Sequence, residues 1–486
     1  MTAQGRPSTA ALFGFVLLMM LTGCVKSPKY SAPAPPTAPV WNISQENFSS
    51  RMNTGAIDEQ WWDSFHDPVL TSLVERLAKQ NIEIKVAVEH LAQARAARKI
   101  ARSASLPSMS AGAGYSHTRL SPNGFLSLVQ PTPGSSTEYN LYADNLSASW
   151  DLDLNGRIRH QVEAANASIQ LSVDDIHALE VAEAAELAQD YVQLRGLQAA
   201  HALLLQKIDL LSQEESLILQ QYHEGVANLI DTDGVKADRE GLQSTLPEIE
   251  SAAHARIEAI GYLLALSPGE LDKELQTTAP QPPVPSIVSV GLPGDLVRRR
   301  PDVRGAEDAL KIAVAETGVA AAQFYPDVKL SGDFGFQGLH VLNAFSMASR
   351  AFDVGPVLSI PIFQGGRLTG ELKVRESQQK EAALNFQKVV LAAWRDVDID
   401  MDGYSQSQAS NERTIASATD REHAFKISQQ QFTEGAATKL SVLRSEQAYL
   451  ESKLATTATA SEEDQKLVLL YEALGGGWSA IDAHRP

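Results

Sequence analysis

The chain repeats itself, and the period of the repeat limits its fold more than any other feature. Gly156-Arg157 recurs as Gly366-Arg367, 210 positions on. Gln220-Gln221-Tyr222-His223-Glu224-Gly225 recurs at the same offset as Gln430-Gln431-Phe432-Thr433-Glu434-Gly435. Upstream, Leu91, Ala94 and Pro107 correspond to Leu310, Ala313 and Pro326 at an offset of 219. The difference is absorbed in residues 121–136, a stretch rich in Pro, Gly and Ser that reads as a loop inserted into a shared plan. A period this long implies one duplicated unit rather than two or three unrelated domains.

Each copy has the order helix, strand, loop, strand, very long helix, turn, helix. Residues 157–222 contain no Pro and one Gly, Gly196; residues 367–432 contain no Pro and two Gly, Gly370 and Gly403. Each stretch predicts a helix of roughly 100 Å at the α-helical rise. Leu204, Ile208, Leu211, Ile218 and Tyr222 keep close to heptad spacing, as coiled-coil packing requires. The second copy carries Thr414, Arg421 and Ser428 along the same stripe, so its packing surface should be wetter. Four short segments, at about 107–119, 141–154, 327–338 and 351–362, alternate apolar and polar residues. Leu146, Ala148, Trp150, Leu152 and Leu154 face one way, and Ser147, Ser149, Asp151 and Asp153 the other. Such strands have the length and two-faced character of membrane-crossing strands, and an ordinary half-buried antiparallel sheet shares that pattern. Four strands cannot close a barrel, which takes about eight or more, so a membrane reading requires several chains.

The amino terminus favours a membrane location. Residues 1–23 hold one charge, Arg6, and the apolar run 10–21, which is too short to span a bilayer and reads as the core of a secretory leader. It ends in Leu21-Thr22-Gly23-Cys24, the form of a bacterial lipobox, and Cys24 is the only cysteine in the chain. Cys24 is therefore expected to carry a covalent lipid after cleavage and to lead a Pro-rich tether through residue 56. One cysteine excludes an intrachain disulfide and a thiolate metal cluster. With 41 Lys+Arg against 59 Asp+Glu, the net charge of −18 excludes a general nucleic-acid binder.

Six stretches stand out as motifs: residues 291–307 (GLPGDLVRRRPDVRGAE), 61–70 (WWDSFHDPVL), 149–159 (SWDLDLNGRIR), 321–331 (AAQFYPDVKLS), 356–367 and the closing 473–478 (ALGGGW). Together they resemble the TolC-type outer-membrane efflux proteins, in their NodT/OprM-like lipoprotein branch, which serves pumps of the RND class. The resemblance covers about residues 24–478. It implies a mainly α chain with a small β part: a duplicated unit of which three copies form a 12-stranded outer-membrane β-barrel continued by a periplasmic α-helical barrel. The plan would be a leader at 1–23, a tether at 24–56, repeats at 57–266 and 301–478, a connection at 267–300 and a tail at 479–486. Pro247 should kink the shorter fourth helix. The implied function is an exit duct that takes drugs or other small molecules from an inner-membrane pump through a periplasmic adaptor. The alternative is a periplasmic coiled-coil scaffold or adaptor lipoprotein that never spans the membrane.

The resemblance also assigns sites. Glu224-Gly225-Val226 and Glu434-Gly435-Ala436 match the tips on which the adaptor docks, although glycine there is equally a helix cap. Leu440 and Leu443 match an apolar constriction. Where relatives often carry Asp-Ala-Gln-Arg, this chain has Arg444-Ser445-Glu446-Gln447, so Arg444 is expected to pair across chains with Asp231 or Asp233. Asp151 to Gly156 imitates the start of a calcium loop but lacks a Glu at the twelfth position, where Val162 stands. The run Arg298-Arg299-Arg300-Pro301-Asp302 reads as a helix start whose arginines pair with nearby acids. Gly475-Gly476-Gly477 is not a phosphate loop, no HExxH or GxSxG occurs, and the eleven His show no metal-ligand spacing. No enzyme, metal site or cofactor beyond the Cys24 lipid is expected.

Overall fold

The computed structural model describes residues 41, 52–121, 138–285 and 287–479. In chain order these form β1 (Met52–Asn53), α1 (Pro68–Gln80), α2 (Ile82–Ser103), β2 (Ser108–Arg119), β3 (Glu138–Asp151), α3 (Arg157–His223), α4 (Leu229–Leu263), β4 (Val288–Ser289), α5 (Pro293–Arg299), α6 (Pro301–Ala322), β5 (Asp327–Gly338), β6 (Arg350–Ser359), α7 (Arg367–Thr433) and α8 (Lys439–Ala473). The duplication holds at the level of single residues. Helices α3 and α7 have 67 residues each, α4 and α8 have 35 each, and α2 and α6 have 22 each. Helix α4 runs through Pro247 without being divided there.

Contacts sort these residues into two compact units, and α2, α3, α6 and α7 run through both. The first unit holds Ala92–Gln170 and Glu307–Leu384, and with them an antiparallel sheet in the order β2-β3-β5-β6. Its register separates chemistry by face. Ala111, Leu146, Phe334 and Phe352 are paired in one row across all four strands, and Trp150, Leu330 and Pro356 share that face. Ser110, Ser147, Asp333 and Asp353 form the neighbouring row on the other face, where Ser147 Oγ donates to Asp333 Oδ1. The apolar face is uncovered: Phe352 is 73% exposed and Val354 74%.

β3 and β6 differ at their ends from the sequence expectation. β3 begins at Glu138 and stops at Asp151, because Asp153 turns to φ 45° and its carboxylate accepts from the backbone N–H of Ile158 (2.8 Å) and Arg159 (2.9 Å), starting α3. Asp151 is taken by Arg157 at 2.6 Å, so both acids of the calcium-loop imitation serve the strand-to-helix turn. β6 stops at Ser359, ahead of Pro361, which has no N–H for a ladder.

The second unit holds the rest of the described residues and the main hydrophobic core. Trp61 stacks on Tyr471 at 5.3 Å and meets Trp62 and Phe65 edge-on. The closing glycines pack on this aromatic group. Gly477 has φ 106°, and a Cβ there would lie 3.0 Å from Trp62 and 3.1 Å from Trp61. Arg300 Nη1 donates to the Ala473 carbonyl (2.9 Å) and Arg300 pairs with Asp302, while Arg299 pairs with Glu59 at 2.6 Å. Arg299 and Arg300 thus join acids and a helix end, and Pro301 opens α6. Asp67 caps α1 by accepting from Val69 and Leu70 N–H, and its other oxygen accepts from the Tyr191 hydroxyl at 2.6 Å.

Further along α8 the core carries acids. Glu463 accepts from Asn411 Nδ2 (2.6 Å) and Asp464 from Gln281 Nε2 (2.8 Å), and both acids are buried. Burial pushes the Asp464 carboxyl up to about 8; Glu463 beside it adds to the rise and the Gln281 bond opposes it. The folded chain therefore holds a proton that the unfolded chain releases near pH 4, so stability falls as pH rises from about 4 to about 8. Asp464→Asn should remove this dependence. Its advantage over the parent in thermal unfolding is expected to grow between pH 4 and pH 8, to a few kcal/mol.

Candidate functional site

The two long-helix turns are built alike. After α3, Gly225 N–H donates to Tyr222 O (2.9 Å) and Val226 N–H to Gln221 O (2.8 Å); after α7, Gly435 N–H donates to Phe432 O (3.0 Å) and Ala436 N–H to Gln431 O (2.8 Å). This is the paired bonding of a Schellman cap. Gly225 and Gly435 sit at φ 78° and 76°, and an added Cβ would meet nothing at either. Glycine is therefore required by the backbone and not by crowding within the chain. Gln220 Nε2 donates to Glu224 Oε1 at 2.9 Å, and Gln430 Nε2 to Glu434 Oε1 at 2.8 Å. The six tip residues Glu224, Gly225, Val226, Glu434, Gly435 and Ala436 are all exposed, and Leu229 and Ile230 extend the first tip with more uncovered apolar surface.

The next turns differ between the copies. Asn228 and Asp231 form a capping box, each side chain accepting from the other's N–H at 3.1 Å. Asp231 is thereby committed to the start of α4, while Asp233 is exposed. Thr438 caps α8 by accepting from Ser441 N–H at 3.2 Å.

The structure redistributes the roles expected of the constriction residues. Leu443 is only 1% exposed, packed with Leu203, Leu210 and Leu450, so it is a core residue of its own chain and not a free constriction. Leu440 is half-buried against the cluster of Leu211, Ile218 and Val235. Arg444 reaches neither Asp231 nor Asp233 within the chain. Its Nε donates to Glu214 Oε1 at 2.9 Å, and Gln447 Nε2 donates to Glu214 Oε2 at 2.6 Å. Glu214 is 4% exposed and Arg444 61%. A buried carboxylate is thus clamped by two donors one turn apart on α8, a charge-assisted tie between α3 and α8. Sequence reasoning missed Glu214 and gave Gln447 no partner. The signal was present: Glu214 and Glu215 interrupt the apolar stripe between Leu211 and Ile218.

Cys24 lies outside the described residues. Among those described, no helix is long and apolar enough to cross a membrane.

An open four-stranded sheet with an uncovered apolar face, joined to paired 67-residue helices, is the build of a channel subunit. The family model described as "Outer membrane efflux protein" matches residues 73–264 and 292–476, and the chain belongs to that family. It is similar to nodulation protein T of Rhizobium leguminosarum bv. trifolii, with 30% identity over 95% of this chain and 96% of the relative. Outer membrane protein OprJ of Pseudomonas aeruginosa is 28% identical over 95% of each chain. Among solved structures, the outer-membrane channel OprN aligns with a TM-score of 0.83 and 28% identity, over 94% of this chain and 100% of that one. The chain is therefore an outer-membrane efflux channel of the TolC type and not an enzyme; the scaffold alternative has no support.

The turn geometry carries its own test. Gly435→Ala forces a Cβ onto a left-handed residue at a cost of about 1–2 kcal/mol. Amide hydrogen exchange is expected to quicken around residues 430–440 and to stay unchanged in the Trp61 core.

Proposed function

We propose that three copies of this chain close one outer-membrane barrel and act as the exit duct of a tripartite system, receiving drugs or other small molecules from an inner-membrane RND-type pump through a periplasmic adaptor. The observation that supports this most is the sheet: its apolar row of Ala111, Leu146, Phe334 and Phe352 is suited to lipid, its Ser/Asp row to a wet lumen, and among the described residues β2 and β6 each have one neighbour only. In hydrocarbon every backbone donor and acceptor has to be satisfied, so those edges call for strands from further copies. Membership of the efflux family supports the same reading.

The exposed tips at Gly225 and Gly435 are the proposed adaptor contacts, and a lipid on Cys24 the proposed second attachment to the outer membrane. The gate is proposed to combine two ties. Glu214 holds Arg444 and Gln447 within the chain. The exposed guanidinium of Arg444 then serves Asp233 of a neighbouring copy, with Asp231 the weaker candidate because its carboxylate is engaged in capping.

Planar-bilayer recording tests both levels. Stepwise single-channel conductance is expected from the purified protein, and Arg444→Ala is expected to raise conductance or drug leakage. A protein that never inserts overturns the duct, and an unchanged Arg444→Ala channel overturns the gate alone.

A further inference from the structure

The fold brings together three side chains that neither the duct nor its gate uses. His254 and Glu258 stand one turn apart on α4, and Asp272 opens the one-turn helix Asp272–Leu275 that follows. One donor atom from each can be chosen so that all lie within 4.8 Å of one another. His254 Nε2 is 4.0 Å from Glu258 Oε1. The backbones that carry them are fixed by the core, since Ile257, Ile260, Leu263, Leu271 and Leu275 are all buried in it. Gly269 N–H donates to Glu258 Oε1 at 3.0 Å, which ties this carboxylate to the turn leading into Asp272. Asp272 Oδ1 is closed off from water and has no hydrogen-bond donor among the described residues. A buried acceptor without a partner costs about 1–3 kcal/mol, and a cation beside it removes that cost.

We propose that His254, Glu258 and Asp272 bind a divalent transition-metal ion of the zinc class, one per chain, with water in the remaining positions. An imidazole with two carboxylates is a donor set suited to zinc and its first-row neighbours. Calcium prefers six to eight oxygens, which this set does not offer. Tetrahedral zinc at its usual bond lengths places ligand atoms about 3.4 Å apart, so donors up to 4.8 Å apart have to close by as much as about 1.4 Å. The His254 side chain, 60% exposed, has room to turn inward, and water has access to the open positions.

The site belongs to the first copy alone. At the offset of 210, His254 and Glu258 correspond to Asp464 and Val468, which supply no equivalent pair. The ion would clip the end of α4 to the connection that follows it. No spacing rule finds this group in the sequence, because the third ligand lies beyond the end of the helix that bears the other two.

The test uses the untagged, detergent-solubilised protein, freed of metal and titrated with ZnCl2 by calorimetry and with CoCl2 by visible absorption. One equivalent per chain is expected, and zinc should raise the melting temperature by mass action. His254→Ala and Asp272→Asn should each weaken binding at least tenfold and abolish the cobalt absorption bands. His201→Ala, which removes a histidine with a single carboxylate neighbour, should leave binding intact. Each variant's melting temperature in metal-free buffer shows whether it folds, and His254→Ala changes an exposed side chain. Absence of saturable zinc binding overturns the proposal, as does binding that survives both His254→Ala and Asp272→Asn or that is lost equally in His201→Ala.

Discussion

The unpaired edges of the β2-β3-β5-β6 sheet are the constraint on which the rest depends. One face of this sheet is suited to hydrocarbon, yet an open edge in hydrocarbon costs several kcal/mol for every backbone group left without a partner. A sheet with only one of these properties would be ordinary; a polar open sheet sits in water, and an apolar closed barrel sits in lipid. In the proposed assembly this combination is met by further strands of the same kind, supplied by other copies of the chain. The duplicated plan follows from the same demand. Each repeat supplies one strand pair together with one long and one shorter helix, so every added hairpin arrives with its own helical continuation.

The two copies have diverged where their helices pack. In the first, Leu204, Ile208, Leu211 and Ile218 are buried along α3. In the second, the corresponding stretch is partly hydrogen-bonded: Thr414 meets Thr459 at 2.8 Å and Asn411 meets Glu463 at 2.6 Å. Polar packing of this kind needs every partner in place to avoid stranding a buried group. The Glu214 clamp is the counterpart on the apolar side, a single charge set into an otherwise greasy seam and held by two residues of α8. Both arrangements bind helices through directional contacts, which can be exchanged for others more readily than close apolar packing.

Much of this was legible in the sequence because it rests on local periodicity. Proline-free stretches and repeated Glu-Gly turns gave the long helices to within a residue, and alternation gave all four strands. The misjudged strand ends turned on local chemistry, the left-handed Asp153 and the missing N–H of Pro361. What periodicity cannot carry is which residues meet across helices. Leu443 has the same apolar character whether it lines a lumen or fills a core, and only its contacts with Leu203 and Leu450 decide. Proximity to the tip suggests Asp231 or Asp233 of a neighbouring copy for Arg444, but nothing local points to its partner within the chain, Glu214, 230 positions away. The glycines of the closing motif likewise gain their meaning only when Trp61 and Trp62, near the other end of the chain, are seen against them.

The central claim is that this sheet is completed by other copies of the chain. Its most direct test is the mass of the intact particle, measured by native mass spectrometry after gentle release from detergent. The account predicts a particle three times the mass of the mature chain. A folded protein recovered at the mass of one chain, with its sheet edges left open, would contradict it.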